Sequence, residues 1–208
     1  MTASEKADRV LPAGLIALSL IPVAAGIVRV IGLVDAGPVT PANARFVASP
    51  GPIALHIAAV ALFCLLGAFQ FAPGFRRRHR RWHRIAGRLL IPCGLVAGLS
   101  GLWMTQFYPN AGVDGVVVYG ERLLVGSAMV VFILLAIVAI GRRDFTRHGA
   151  WMIRAYALGQ GAGTQVLTHL PWFILVGAPG VTSRAVMMGA GWVINAIVAE
   201  WAIRRWLI

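Results

Sequence analysis

Charge is scarce in this sequence, and its scarcity excludes most soluble proteins. Only 12% of the 208 residues are charged, whereas 59% are apolar. A soluble domain averages about a quarter charged residues and about half apolar ones. The P-loop, G-x-S-x-G and H-E-x-x-H motifs of common soluble enzymes are also absent from the sequence. The composition is typical of a protein dissolved in a lipid bilayer.

Cysteine is also nearly absent, which excludes a disulfide framework. Cys64 and Cys93 fall in two different apolar runs, without a C-x-x-C or zinc-site spacing. We therefore expect both to be small, buried apolar residues. Glycine is abundant by contrast: Gly94 and Gly98 at small-xxx-small spacing, and GQGAGTQ at residues 159–165, predict close approaches between helices.

The chain contains six long runs of apolar residues. A helix rises 1.5 Å per residue and needs roughly 20 residues to cross a hydrocarbon core. Short segments with Gly, Pro, Asn or charge separate the runs, so there is no room for a soluble domain. The first run is longer than the apolar part of a secretory signal, and we expect it to remain as a helix. The sequence predicts an all-α integral membrane protein with six transmembrane helices, at residues 11–34, 51–71, 85–107, 116–140, 151–176 and 185–203.

Basic residues are distributed asymmetrically, and this predicts the orientation. Positive residues are retained on the cytoplasmic side of a membrane. Fifteen of the 19 basic residues fall in the N-terminal tail, the loops after the second and fourth runs, and the C-terminus. We therefore predict that both termini are cytoplasmic. The arginines left on the outer side are Arg29, Arg45, Arg122 and Arg184.

The densest basic stretch is RRRHRRWHRIAGR, from Arg76 to Arg88. Clustered arginines can neutralise nucleic-acid phosphates. This stretch, however, joins two apolar runs, so we interpret it as an inside loop and expect no nucleic-acid partner. Each basic residue near an anionic membrane surface contributes about 1 kcal/mol of attraction. The expected partner is the bilayer itself, with anionic headgroups at the basic loops.

An internal repeat organises the middle of the chain. The segment RRHRRWH at residues 77–83 recurs as RRDFTRH at residues 142–148, an offset of 65 residues. The same offset relates His56 to Glu121 and Met104 to His169. Spans two with three and four with five would then be two copies of one helical hairpin. The repeat predicts a central four-helix bundle.

The histidines are the most informative polar residues. Imidazoles from two facing helices can supply both axial ligands of haem b. Spans three and five run in the same direction, which places His83 and His148 at the same membrane level. His56 and His169 would both lie near the outer surface. This architecture is similar to the diheme cytochrome b561 group, whose four central helices carry histidine pairs on each side. The alternative is that the histidines lie at the interface and bond loop backbone.

A haem at the inner pair would lie beside Arg88 and Arg154. Arginines of this kind stabilise haem propionates through charge-assisted hydrogen bonds. The leading hypothesis is therefore a membrane electron carrier or quinone-linked reductase. Its cofactor would be haem b, and its partner a quinone or another redox protein.

A second polar set favours a different function. Met104, Glu121, Gln165 and Asn195 lie within the predicted spans, where polar groups usually hydrogen-bond neighbouring helices. They can also line the path of a small transporter or channel. A third hypothesis is a non-catalytic component that binds lipid or a partner through the basic loops. The sequence leaves open which of the three applies, and whether the protein is an enzyme.

Several segments resemble a known family. HRIAGR, SGLWMT, RRDFTRHGAWMIRAYAL, GAGTQVLT and MGAGWVINAIVAEW are similar to a bacterial multi-pass membrane family, domain of unknown function 2306. The resemblance runs from about His56 onward and implies a multi-pass protein of the bacterial inner membrane. It brings no established reaction. The matching motif residues, carried without roles, are His56, His83, Gly87, Arg88, His148, Trp151 and Arg154.

Overall fold

The computed structural model describes residues 3–35, 37–110 and 112–207, and within these ranges every regular element is a helix. The helices are α1 (Ala3–Val34), α2 (Ala44–Ala48), α3 (Pro50–Gly67), α4 (Pro73–Arg78), α5 (Arg80–Phe107), α6 (Val116–Gly141), α7 (Phe145–Gly159), α8 (Gly161–Leu175) and α9 (Val181–Trp206). A single 3₁₀ turn, Ala68–Phe71, extends α3. The prediction of an all-α protein is confirmed for the described residues.

Five helical stretches are long and apolar enough to cross a membrane: Asp8–Val34, Pro50–Phe71, Arg80–Phe107, Val116–Gly141 and Val181–Trp206. They correspond to five of the predicted spans. Many large apolar side chains on these helices point outward, including Leu124 and Ile197. Apolar surfaces of this extent are unfavourable in water and are typical of helices that contact lipid. The multi-pass membrane class is therefore confirmed.

One predicted span, residues 151–176, is divided at Gln160 into α7 and α8, of 15 residues each. Gly159 and Gly161 flank the break, and neighbouring helices approach both closely. A Cβ at Gly161 would overlap the Trp192 indole, and one at Gly159 would lie 3.1 Å from Phe63. Each half is about 22 Å long, which is shorter than a hydrocarbon core of about 30 Å. α9 packs against both halves.

Helices α3, α5, α6 and α7 form the centre of the molecule. The pairs α3–α5, α5–α6 and α6–α7 are in contact along the chain order, and α7 closes the group by packing on α3 and α5. Their shared core includes Phe63, Leu90, Ile133 and Tyr156. α1 lies outside this group against α3 and α8, and α9 lies against α6, α7 and α8. These four helices fall within the second to fifth apolar runs, and α8, the second half of the fifth run, lies outside the group.

Glycines allow the closest helix contacts in this core, as the sequence predicts. A Cβ added at Gly94 would lie 2.7 Å from both Phe63 and Ile133, and one at Gly98 would lie 2.8 Å from Val130. Contacts this short leave no room for a side chain at either position. Both cysteines are free: Cys64 is buried, as expected, and Cys93 is half-buried.

Candidate functional site

The bundle has two polar ends. We call the end that carries α4 and residues 142–144 the basic face, and the end that carries α2, residues 108–110 and residues 112–115 the Asp114 face. Asp8 joins the first helix to α4 at the basic face by accepting from the Gly74 amide at 2.7 Å. Tyr108 joins the segment that follows α5 to the start of α3 by donating to the Ser49 carbonyl at 2.5 Å. Each polar end is therefore held by a hydrogen bond between segments that are distant in the chain.

The inner histidine pair lies at the basic face, three residues inside α5 and α7. Nδ1–H of His148 donates to the Ala136 carbonyl of α6, at 3.0 Å, which leaves Nε2 as the free nitrogen. Nδ1 of His83 is buried and has no hydrogen-bond partner within the described part of the chain. Both histidines lie in the first turns of α5 and α7, two helices that are in contact. The pairing of His83 with His148 stays a prediction.

The two arginines assigned to this pair differ. Arg154 makes a two-point ion pair with Glu200 of α9, with Nε–Oε1 at 2.5 Å and Nη2–Oε2 at 2.9 Å. Its guanidinium also lies 4.6 Å from the ring centroid of Trp151. Arg88 is exposed on α5. In this structure Arg154 links α7 to α9, and its predicted role beside a haem stays a prediction.

His56 lies on α3, toward the Asp114 face, and its ring is held by α5. Its Nδ1 is 3.0 Å from both the Ala97 carbonyl and the Ser100 hydroxyl. The Ser100 hydroxyl donates to the Val96 carbonyl, so its oxygen is an acceptor toward the ring. This arrangement assigns the proton to Nδ1 and leaves Nε2 with a free lone pair. His56 therefore presents a hydrogen-bond acceptor on the ring edge that faces away from α5.

A pocket of about 160 Å³ lies beside His56, between α1, α3 and the start of α8. Most of its lining is apolar. The polar groups in it come from His56, Ser19, Cys64 and Gln160. The pocket lies at the break between α7 and α8, and the residue at the break, Gln160, supplies one of its polar side chains.

A hydrogen-bonded chain closes one side of this pocket. Ser19 donates to Gln160 Oε1 at 3.0 Å, Gln160 Nε2 donates to the Tyr156 hydroxyl at 2.7 Å, and that hydroxyl donates to the Cys64 carbonyl at 2.6 Å. The Cys64 thiol in turn donates to the Gly159 carbonyl at 3.6 Å. Every donor of this chain is therefore engaged within the protein.

His169 does not share this site. Its Nδ1–H donates to the Gln165 carbonyl one turn earlier on α8, at 2.7 Å. His169 lies six residues, about 9 Å along the helix, beyond Gly163, the pocket-lining residue nearest to it on α8. No hydrogen bond joins it to His56 among the described residues. The proposed pairing of His56 with His169 gains no support from this geometry and stays a prediction.

The second predicted polar set lies on four different helices: Met104 on α5, Glu121 on α6, Gln165 on α8 and Asn195 on α9. Gln165 donates to the Met188 carbonyl at 3.3 Å, and Asn195 accepts from Thr164 at 2.7 Å and donates to the Ala157 carbonyl. These bonds tie α8 and α7 to α9, which is the usual work of polar groups in membrane helices. Glu121 packs against Gly189 of α9, and its Oε2 is buried without a partner in the described residues. Met104 is half-buried on α5.

Sequence reasoning missed a cluster at the Asp114 face. The Asp114 carboxylate, 1% exposed, accepts from Arg184 Nε at 2.6 Å and from Arg122 Nη1 at 2.9 Å. Burial raises the pKa of the Asp114 carboxyl, but these two bonds outweigh it and hold the pKa below its ordinary value. The signal in the sequence is the set of four arginines that the distribution of basic residues leaves on the outer side, Arg29, Arg45, Arg122 and Arg184.

Helical architecture, apolar outer surfaces and two polar ends define the class as a multi-pass membrane protein. The family model described as "Predicted membrane protein (DUF2306)" matches residues 53–203, well over half of the chain. The chain therefore belongs to the DUF2306 family, as the sequence motifs indicate. No curated protein and no solved structure matches it significantly. The similarity to cytochrome b561 is not found in these comparisons.

Proposed function

We propose that this protein binds the ring of a quinol, or of a similar lipophilic molecule with a hydroxyl group, in the pocket beside His56. The observation that carries the proposal is a small, mainly apolar pocket at membrane depth that offers hydrogen-bond acceptors and no free donor. Pockets of this kind, apolar with a few convergent polar groups, are the usual sites of small-molecule binding.

The size of the pocket selects a single ring. Its volume is about 160 Å³, and a cavity of about 150 Å³ is known to hold one benzene molecule. The four-ring macrocycle of a haem is much larger. A quinol ring would fill this pocket while its isoprenoid tail lay outside in the bilayer.

The hydrogen-bond groups of the pocket select the reduced form of the ligand. His56 offers Nε2, an acceptor, and Gln160 Oε1 has a second lone pair beyond the one that Ser19 occupies. The amide N–H groups of Gln160 already donate to the Tyr156 hydroxyl and to the Leu15 carbonyl, so they are not free for a ligand. The O–H of a ligand hydroxyl can donate to one of these two acceptors, whereas a quinone carbonyl has no proton to donate and would leave acceptor facing acceptor.

Access from the lipid is supported by the way α1 packs. Only 6% of its apolar stretch is buried, the lowest share among the five candidate spans. Pro22 lines the pocket and lacks an amide proton, so the Leu18 carbonyl one turn earlier loses its helical partner. Gly163 of α8 packs directly on that carbonyl. α1 therefore closes the pocket with a helix that packs on α3 and α8 and leaves most of its apolar stretch unburied.

The test is ligand binding by the purified protein in nanodiscs. Decylubiquinol is titrated against wild type and His56→Ala, with the dimethyl ether of the same quinol as a ligand that lacks both hydroxyl protons. One lost hydrogen bond of about 1 kcal/mol weakens binding roughly fivefold. We expect that loss in His56→Ala and for the ether.

The matched control is His169→Ala, which removes another half-buried histidine with the same Nδ1–backbone bond but outside the pocket. It should bind the quinol like wild type. Equal affinity of wild type, His56→Ala and the ether would refute the proposal.

The inner histidine pair favours a second candidate function, electron carriage through haem b. The free Nε2 of His148 and the partnerless Nδ1 of His83 are the groups that support it, since a ligating histidine commonly fixes its other nitrogen on a backbone carbonyl. A reduced-minus-oxidised visible spectrum tests this candidate. Sharp α and β bands that vanish in His83→Ala but persist in His79→Ala would support it; a flat spectrum from folded protein would end it.

We also infer six spans with both termini in the cytoplasm of a bacterial inner membrane. α7 and α8 would together make the fifth span, since α9 packs along both. The arginine asymmetry supports the orientation. Alkaline phosphatase fused after residue 112 should be active and fused after residue 143 inactive; the reverse pattern would invert the topology.

A further inference from the structure

The four arginines on the Asp114 face come from distant parts of the chain and converge on one site. Arg29 belongs to α1, Arg45 to α2, Arg122 to α6 and Arg184 to α9. Arg184 and Arg122 bind the same carboxylate, that of Asp114. Arg45 is within electrostatic range of Asp114 and of the other three guanidiniums. Four separate helices therefore deliver positive charge to a single region.

The charges in this region do not balance. Asp114 is the only carboxylate that forms an ion pair with any of the four arginines among residues 3–35, 37–110 and 112–207. Three positive charges are left over, and two remain if Glu121, which interacts with Arg122, is also ionised. Burial lowers the pKa of Arg45; Asp114 opposes this effect, and Arg122, Arg29 and Arg184 add to it. The cluster is therefore short of negative charge.

Donors in the cluster are also left over. Arg45 uses one nitrogen, Nη1, to donate to the Pro109 carbonyl at 3.2 Å. Arg29 has no hydrogen-bond partner among the described residues, and its guanidinium lies 4.5 Å from the ring centroid of Phe46. The guanidinium of Arg45 lies 4.7 Å from the same centroid. The buried Phe46 ring thus holds two guanidiniums in place while most of their N–H groups stay free.

We propose that Arg29 and Arg45, backed by Arg122 and Arg184, bind the phosphate group of an anionic ligand at the Asp114 face. Guanidinium forks match phosphate oxygens in geometry and charge, and such bonds are about twice as strong as neutral ones. Asp114 holds the two backing arginines in position. The shared chemistry is a phosphate group, which either a phospholipid headgroup or a soluble phosphate carries.

The experiment has one arm for each source. In the first, lipid-free protein in detergent is titrated calorimetrically with inorganic phosphate. In the second, protein in nanodiscs of phosphatidylcholine with added phosphatidylglycerol is analysed by native mass spectrometry for bound anionic lipid. Wild type, Arg29→Gln and Arg45→Gln are compared in both arms. The control is Arg142→Gln, which removes the same charge from an exposed position on the basic face.

We expect each site variant to weaken binding about tenfold in at least one arm, while Arg142→Gln changes it less than twofold. Loss in the phosphatidylglycerol arm alone identifies a lipid headgroup, and loss in the phosphate arm alone identifies a soluble anion. If Arg45→Gln fails to fold, Arg29→Gln carries the test, because Arg29 is exposed and forms no ion pair within the part of the chain that the structure describes. Equal binding by all four proteins, or no binding in either arm, would overturn the proposal.

Discussion

The two faces of α3 show two ways of packing a membrane helix. One face, with Ala59 and Phe63, lies in the core shared with α5, α6 and α7. The other face, with Ile57 and Ala61, borders the pocket under α1. Glycines make the first face too tight for any added atom, whereas the second leaves the volume of one ring. The comparison shows that this bundle is tightly packed on one side of α3 and has an unfilled pocket on the other. The unfilled side is the one that can hold a ligand.

Overfilling the tight face should have the largest effect. Gly94→Leu would place a side chain where even a Cβ lies 2.7 Å from Phe63 and Ile133, and overpacking of this kind costs about 3 kcal/mol or more. The thermal unfolding temperature in detergent should fall sharply. Gly87→Leu on the same helix is the control, since nothing lies within 4 Å of its Cβ position. Similar stability of both variants would show that the core is not tight.

Removing Gln160 from the hydrogen-bonded chain beside the pocket should have the next largest effect on stability. Gln160→Ala removes the hydrogen bonds of this side chain with Ser19, Tyr156 and Leu15, and each such bond contributes about 0.5–1.5 kcal/mol. Gln106→Ala, which loses one exposed bond to Tyr119, should cost less than about 0.5 kcal/mol. Denaturant or thermal unfolding measures both. Equal effects would mean that the Gln160 network is not structurally important.

Lowering the pH should destabilise the Asp114 face, which lies outside the spans, more than either face of α3. The pKa of Asp114 is lowered in the folded protein, so its ion pairs contribute stability above the unfolded value of about 3.9. That contribution is lost as the pH falls through the lower folded value. Unfolding temperatures measured from pH 7 to pH 3 should fall more for wild type than for Asp114→Asn. Parallel pH profiles would contradict this assignment.

Filling the pocket should have the smallest effect on stability. Ala61→Leu extends into the open volume and should leave stability unchanged or raise it by up to about 1 kcal/mol. Ala59→Leu, two residues away on the tight face and 5% exposed, should destabilise the protein by about 1–3 kcal/mol. Thermal unfolding compares the pair. If both destabilise alike, the two faces of α3 are packed equally.

Periodicity and length were enough to predict most of the helices, but their ends differ. α5 begins at Arg80, ahead of the predicted residue 85, because arginines at the interface can continue a helix while their charges remain in water. The break at Gln160 was not predicted, since glycines were interpreted as packing residues and apolarity hides a local change of helix geometry.

The candidate sites were predictable only in part. His83 and His148 occupy equivalent places in the first turns of α5 and α7, and an internal repeat reveals that equivalence. The pocket depends on how α1, α3 and α8 are rotated about their axes, which residue spacing does not determine. The pairing of Arg122 and Arg184 with Asp114, and of Arg29 and Arg45 with the Phe46 ring, depends on which loops meet, and a single sequence does not determine this.

Photo-crosslinking with a quinol analogue tests the central claim most directly. The analogue carries a diazirine on its ring and is irradiated with the protein in nanodiscs, with and without excess decylubiquinol. We expect crosslinks in peptides that contain Pro22, Ala61 or Gly163, and their loss under competition. Crosslinks spread over the outer surfaces of α6 and α9, and unchanged by competition, would show that the pocket beside His56 does not bind a quinol.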